Sequence, residues 1–272
     1  MSDLFKAVLL GIVEGLTEFL PVSSTGHLIL VMPLLGVNER APPWNTFLFL
    51  VQIGAILAVI VYFGRTLIGD LVADAGRPMT QRLAFKIAAA FLPAAVIGLL
   101  LDDVMERYLE HPLPIAAALI VGAVAMEWIE SRHRAGPIER MEDVSLRHAV
   151  WIGLAQCISI VPGTSRSMAT IFGGMWAGLR PAVAARFSFY LAIPTLCAAG
   201  GYRLLKHWRE LRAEHAAVLT VGFVTSFVVA LFVVDGFMTY IQRRRLRLFA
   251  AYRVGLGLLV IAALLAGWIP GS

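Results

Sequence analysis

The chain has 272 residues, of which 59% are hydrophobic and 15% charged, and its formal net charge is +5. One soluble core of this size cannot hide that much apolar side chain, so a soluble globular fold is excluded and a single integral membrane domain is expected over residues 1–272. The positive balance lies mostly beside the apolar runs, where it orients the chain across a bilayer and gives no sign of a nucleic-acid partner.

In chain order, apolar runs fall at about 4–20, 26–36, 46–63, 83–101, 113–129, 148–161, 168–180, 187–202, 216–235 and 248–269. A spanning helix needs roughly 20 residues, so the second, sixth and seventh runs are too short to cross, and the first carries Glu14 and Glu18 on one face. Those two carboxylates and the lack of a small-residue cleavage site argue against a secretory signal. Cys157 and Cys197 sit in apolar stretches with no spacing that suggests a disulfide, and behave there as small hydrophobes.

The sequence also repeats itself. Gly11 to Ser24 resembles Gly153 to Ser165 with a one-residue slip, and Phe47 to Tyr62 resembles Phe187 to Tyr202 at an offset of 140. Duplication of a five-segment unit is expected, with repeats over about 1–135 and 136–272. The slip aligns Glu14 with Gln156, Glu18 with Ile160, Thr25 with Arg166 and His27 with Met168. If all ten runs crossed, the loops at 21–26 and 162–167 would lie on opposite faces. If each short pair dips in and returns, three spans separate the pairs and their tips converge. The predicted fold is therefore all-α, an inverted-topology repeat of six transmembrane helices plus two re-entrant helical hairpins. Irregular backbone at that depth is tolerated only where it lines a polar cavity.

Charge asymmetry gives the orientation. Arg65, Arg77, Arg82, Arg132, Arg134, Arg140, Arg147, Arg243, Arg244, Arg245 and Arg247 fall on one side; Arg40, Arg107, Arg203, Lys206, Arg209 and Arg212 fall on the other, beside Asp102, Asp103, Glu106 and Glu110. Eleven against six puts the first side in the cytoplasm and both termini outside. The run Arg243 to Arg247 reads as an anchor for anionic membrane lipids.

The polar residues inside this apolar chain carry the chemistry. Glu14 and Glu18 are one helical turn apart, and two carboxylates that close in an apolar setting call for a cation; Mg²⁺ (or Ca²⁺), shared with phosphate oxygens, is the economical answer. Solvated carboxylates at a helix end are the plainer reading, but Leu10, Ile12, Val13, Leu16, Phe19 and Leu20 leave little water. Pro21 then stops the helix, and Ser23, Ser24 and Thr25 offer three hydroxyls where capping needs only one, at a helix start suited to phosphate. His27 either donates to a phosphate oxygen or shuttles a proton. In the second half, Pro162-Gly163 breaks the helix; Thr164, Ser165 and Ser167 supply hydroxyls, and Thr170 lies one turn on. Arg166 at membrane depth needs an anion, and its planar fork suits paired phosphate oxygens. Gln52 is either a cavity-facing donor or an amide bridging two helices. Tyr252 and Arg253, inside the last run, either face the cavity or do not.

Together, Glu14 to His27 and Pro162 to Ser167 strongly resemble the signatures of the bacterial undecaprenyl-diphosphate phosphatase (bacitracin-resistance) family, a likeness that includes Gln52 and Phe187-Ser188-Phe189. One departure is Met168, where the family commonly has Gly. The resemblance implies a bacterial inner-membrane hydrolase with its site open to the periplasm, divalent-metal dependence, and Glu14, Glu18, Ser24, His27 and Arg166 as the functional set. The substrate implied is a polyprenyl (undecaprenyl) diphosphate whose terminal phosphate is removed, recycling the carrier for peptidoglycan. In that scheme Glu14 and Glu18 hold the metal. Ser24 is the nucleophile, assisted by His27, or orients a water; Arg166 stabilises the developing charge. Ser23, Thr25, Gln52, Thr164, Ser165, Ser167 and Thr170 bind substrate. A transporter or flippase for a phosphorylated lipid is the rival that repeats and broken helices equally suggest. A homodimer is compatible with the sequence but not specified by it.

Overall fold

The computed structural model describes residues 1–39, 41–108, 111–133, 135–207 and 212–269. Arg40, Glu110, Arg134 and Arg209, and the side chains of Asp102, Asp103, Glu106, Arg107 and Arg203, lie outside the described residues. Ten α-helices are described: α1 Asp3–Thr17, α2 Ser24–Leu34, α3 Trp44–Ala73, α4 Leu83–Tyr108, α5 Pro112–His133, α6 Leu146–Gln156, α7 Arg166–Trp176, α8 Pro181–His207, α9 Ala216–Arg243 and α10 Arg247–Leu265. Six of them, α3, α4, α5, α8, α9 and α10, contain stretches long and apolar enough to cross a membrane. The fold is that of an all-α, multi-pass membrane protein, and many large apolar side chains on the six, among them Leu100, Leu205 and Phe232, point outward where lipid replaces water.

The four remaining helices form two pairs, α1–α2 and α6–α7. Each pair has one short helix running in, an irregular turn, and a second short helix running back. The pairs are swapped between halves: α1 lies along α9, and α6 lies along α4. Small residues permit these approaches. A Cβ on Gly11 would stand 2.8 Å from the Gly222 carbonyl oxygen, one on Gly15 2.8 Å from that of Ser226, and one on Gly153 2.4 Å from that of Ala90. Without a hydrophobic drive between helices in lipid, such close backbone contact is what holds them. The free thiols of Cys157 and Cys197 are as expected.

The two turns share one backbone form. Ser23 (φ 70°, ψ 104°) caps α2, its Oγ accepting from Gly26 N at 3.3 Å; Ser165 (φ 74°, ψ 120°) caps α7, its Oγ accepting from Met168 N at 3.3 Å. They are the only non-glycine residues at positive φ among the described residues. This corrects the expected register of the repeat. With Ser23 on Ser165 the offset is 142 across the tips, so Ser24, not Thr25, matches Arg166, and His27 matches Ala169 rather than Met168. The pairings of Glu14 with Gln156 and Glu18 with Ile160 are unaffected. The slip arose because side-chain likeness weighted the hydroxyl run, whereas the cap geometry follows the one serine that bonds the third amide of its helix.

Candidate active site

The tips of the two pairs touch. Ser167 Oγ, on the second, donates to the Leu20 carbonyl on the first at 2.7 Å, and Ser165 Oγ lies 2.9 Å from Ser167 Oγ. At this junction Arg166 Nη2 meets Glu18 Oε1 at 3.3 Å, both side chains being at least nine-tenths buried. The other Glu18 oxygen, Oε2, accepts from Ser24 Oγ at 2.8 Å. Arg166 Nη1 donates to the Ser188 carbonyl at 3.3 Å, and the guanidinium lies 5.5 Å over the Phe19 ring, which is packed edge-on against Phe189. An ion pair so enclosed is only weakly screened by solvent, and α2 and α7 both aim their positive ends at it.

Capping by Ser23 alone leaves Ser24 free for Glu18 and Thr25 exposed beside it. His27 sits one turn into α2 with Nδ1 2.7 Å from the Ser23 carbonyl oxygen and Nε2 2.6 Å from the Tyr252 hydroxyl. The hydroxyl of Ser24 is thus engaged by Glu18, while both ring nitrogens of His27 are held elsewhere. On the second tip Thr170 bonds the Arg166 carbonyl at 2.9 Å and Ser188 Oγ at 2.6 Å, fixing α7 to α8. Thr164 is buried, its carbonyl taken by Arg253. Gln52, half-buried on α3, enters none of the hydrogen bonds that join these groups.

Arg253 is the residue sequence reasoning left undecided. It is fully buried, and its guanidinium donates to five carbonyl oxygens: Pro21 on the first tip, Gly163 and Thr164 on the second, and Ala118 and Leu119 on α5, at 3.0 to 3.3 Å. It bolts both tips to one point. The backbone there is crowded: Gly163 has φ 90°, and a Cβ on it would come within 2.5 Å of the Ile115 carbonyl oxygen, so only glycine serves. An arginine inside a predicted span was the available signal for a polar structural knot. Tyr252 carried no such signal.

Among the described residues, four buried side-chain polar atoms have no hydrogen-bond partner: both carboxylate oxygens of Glu14, Arg166 Nε and Gln156 Nε2. Glu14 is fully buried, and an uncompensated carboxylate there is costly. Among the described residues no three His, Cys, Asp or Glu gather in one place. This donor set, an orphaned carboxylate one turn from a second carboxylate, fits a hard divalent cation that draws its other oxygens from a phosphorylated ligand.

The family described as bacitracin resistance protein BacA matches residues 7–259. The chain is 44% identical over 270 residues to an undecaprenyl-diphosphatase of Nitrosospira multiformis, covering 99% of this chain and 98% of that one. It is 43% identical to an undecaprenyl-diphosphatase of Ectopseudomonas mendocina (95% and 93% covered) and 43% identical to undecaprenyl-diphosphatase 1 of Chromobacterium violaceum (99% of each).

Proposed function

The chain belongs to the bacitracin resistance protein BacA family, and from that membership we propose that it is a membrane phosphatase that hydrolyses the terminal phosphate of undecaprenyl diphosphate, returning the monophosphate carrier to cell-wall synthesis. The observation that carries the chemistry is the enclosed Glu18–Arg166 pair at the meeting of the tips, with the Ser24 hydroxyl already bonded to Glu18. The lipid tail stays in the bilayer while the diphosphate enters between the tips. The protein is placed in the bacterial inner membrane with its arginine-rich face in the cytoplasm, supported by the arginine asymmetry, and with its site open to the periplasm, as the family resemblance implies.

In this mechanism Arg166 turns its fork to the terminal phosphate, exchanging a carboxylate for phosphate oxygens and neutralising charge as the P–O bond breaks. Glu18 Oε2 takes the proton of Ser24 as Oγ attacks phosphorus, and the bridging oxygen leaves with the lipid monophosphate. Water then cleaves the phosphoserine, its proton passing to His27 at Nε2. Glu14 and Glu18 would hold Mg²⁺ (or Ca²⁺), which supplies Lewis-acid polarisation of phosphate oxygens when bound. Thr25, exposed beside Ser24, offers a further donor to the diphosphate.

Purified protein in detergent micelles, where transport has no meaning, should release inorganic phosphate from undecaprenyl diphosphate. A protein that binds the lipid but releases none is a transporter of the kind the repeat also suits. Rapid quench should trap phosphate on Ser24; wild-type rates from Ser24→Ala would eliminate the covalent route.

A further inference from the structure

The two partners of His27 fix where its protons go. A carbonyl oxygen only accepts, so the 2.7 Å contact with Ser23 puts the ring hydrogen on Nδ1. In the neutral ring Nε2 is then a lone pair, and across 2.6 Å the Tyr252 hydroxyl must be the donor. A proton can enter or leave only at Nε2. The two rings lie nearly parallel, 12° apart with centroids separated by 5.5 Å. Tyr252 is the neighbour of Arg253, so the helical turn that bolts the tips also sets the phenol. Tyr252 is half exposed, so its hydroxyl is free to give up its place at Nε2 without unpacking a buried core.

We propose that Tyr252 is a positioning residue for His27: its hydroxyl holds the imidazole in the one tautomer and orientation that presents the Nε2 lone pair, and yields that place to the incoming water or phosphate. The proposal rests on the proton-transfer role given to His27 above. As water attacks phosphorus, its proton goes to Nε2 and the new O–P bond forms while the Ser24 Oγ–P bond breaks, the electron pair staying on Oγ, which takes back its proton from Glu18 Oε2; the Nε2 proton then passes to solvent. The Tyr252 oxygen, which had donated to the lone pair, can turn and accept from the Nε2–H. Tyr252 itself ends the cycle with its proton.

The test is a double-mutant cycle on phosphate release from undecaprenyl diphosphate in micelles, using wild type, Tyr252→Phe, His27→Gln and the double variant. His27→Gln should lower kcat about a hundredfold, the low end for a lost acid–base group. Tyr252→Phe should lower kcat about tenfold with KM nearly unchanged, the effect of one hydrogen bond, and should cost nothing further in the His27→Gln background. Equal losses in both backgrounds, or a wild-type kcat for Tyr252→Phe, would overturn the proposal. A silent His27→Gln would instead remove the role of His27, and an inactive wild type would remove the phosphatase reading. Nitrogen NMR of ring-labelled histidine, with the His27 signal assigned by its loss in His27→Gln, decides without activity. Wild type should show a single Nδ1–H tautomer that becomes mixed in Tyr252→Phe; an Nε2–H ring in wild type sinks the idea.

Discussion

The two tips are the same piece of backbone used for opposite chemistry. Ser23 and Ser165 share a positive φ and the same cap. Around that common frame the first tip carries Glu14, Glu18, Ser24 and His27, and at the matching positions the second carries Gln156, Ile160, Arg166 and Ala169. The two tips share the groups that shape the turn and differ in those that bear charge. Neither tip alone could hold its ionised side chains at this depth, because an unpaired buried charge costs several kcal/mol, whereas the two together form one enclosed pair. Division of labour between halves is a solution to burial as much as to catalysis.

The comparison can be broken most severely at the charges. Glu18→Gln should reduce phosphate release about a thousandfold, within the range for a lost general base, and chelation should silence the wild type until Mg²⁺ is restored. Activity that survives both would separate the tips from the chemistry. Next comes the bolt they share. Arg253→Met takes the donor from the Pro21, Gly163 and Thr164 carbonyls of the two tips, each left unsatisfied at a cost of about 1–3 kcal/mol, while Ala118 and Leu119 keep their bonds within α5, so the melting temperature in detergent should fall steeply and activity with it. A variant that melts like wild type would show that the tips meet without Arg253.

Gln156→Glu restores to the second half the carboxylate its partner has. Gln156 is fully buried, and among the described residues its side chain bonds only Thr195 Oγ1, at 3.4 Å, so the charge should destabilise by about 3 kcal/mol in a thermal melt; an unchanged melt would mean the second half retains room for a cation. The mildest changes are at the caps. At either serine, Ser→Ala should cost about 1 kcal/mol from the lost cap, while Ser→Gly should cost a few tenths, because glycine also relieves the positive φ. If Gly proves as damaging as Ala at Ser165 but not at Ser23, the two turns are not equivalent.

Much of this was written in the chain. Six runs of spanning length, and short runs around two polar breaks, pointed to tips that converge if each short pair dips in and returns, and carboxylates in one tip with an arginine in the other made their junction the candidate site. These are local properties, periodicity and polar groups in apolar surroundings, which a sequence displays directly. Packing decided the rest. That Ser24 bonds Glu18, that Arg253 gathers carbonyls from residues as far as 232 positions away, and that Tyr252 engages His27 across 225 positions depend on which helix lies beside which. The register of the repeat was settled by backbone dihedrals rather than side-chain likeness. Hydrophobicity tells a residue only that it is buried in protein or lipid; the direction in which a buried donor points is fixed by close contact between helices, and that exists only in three dimensions.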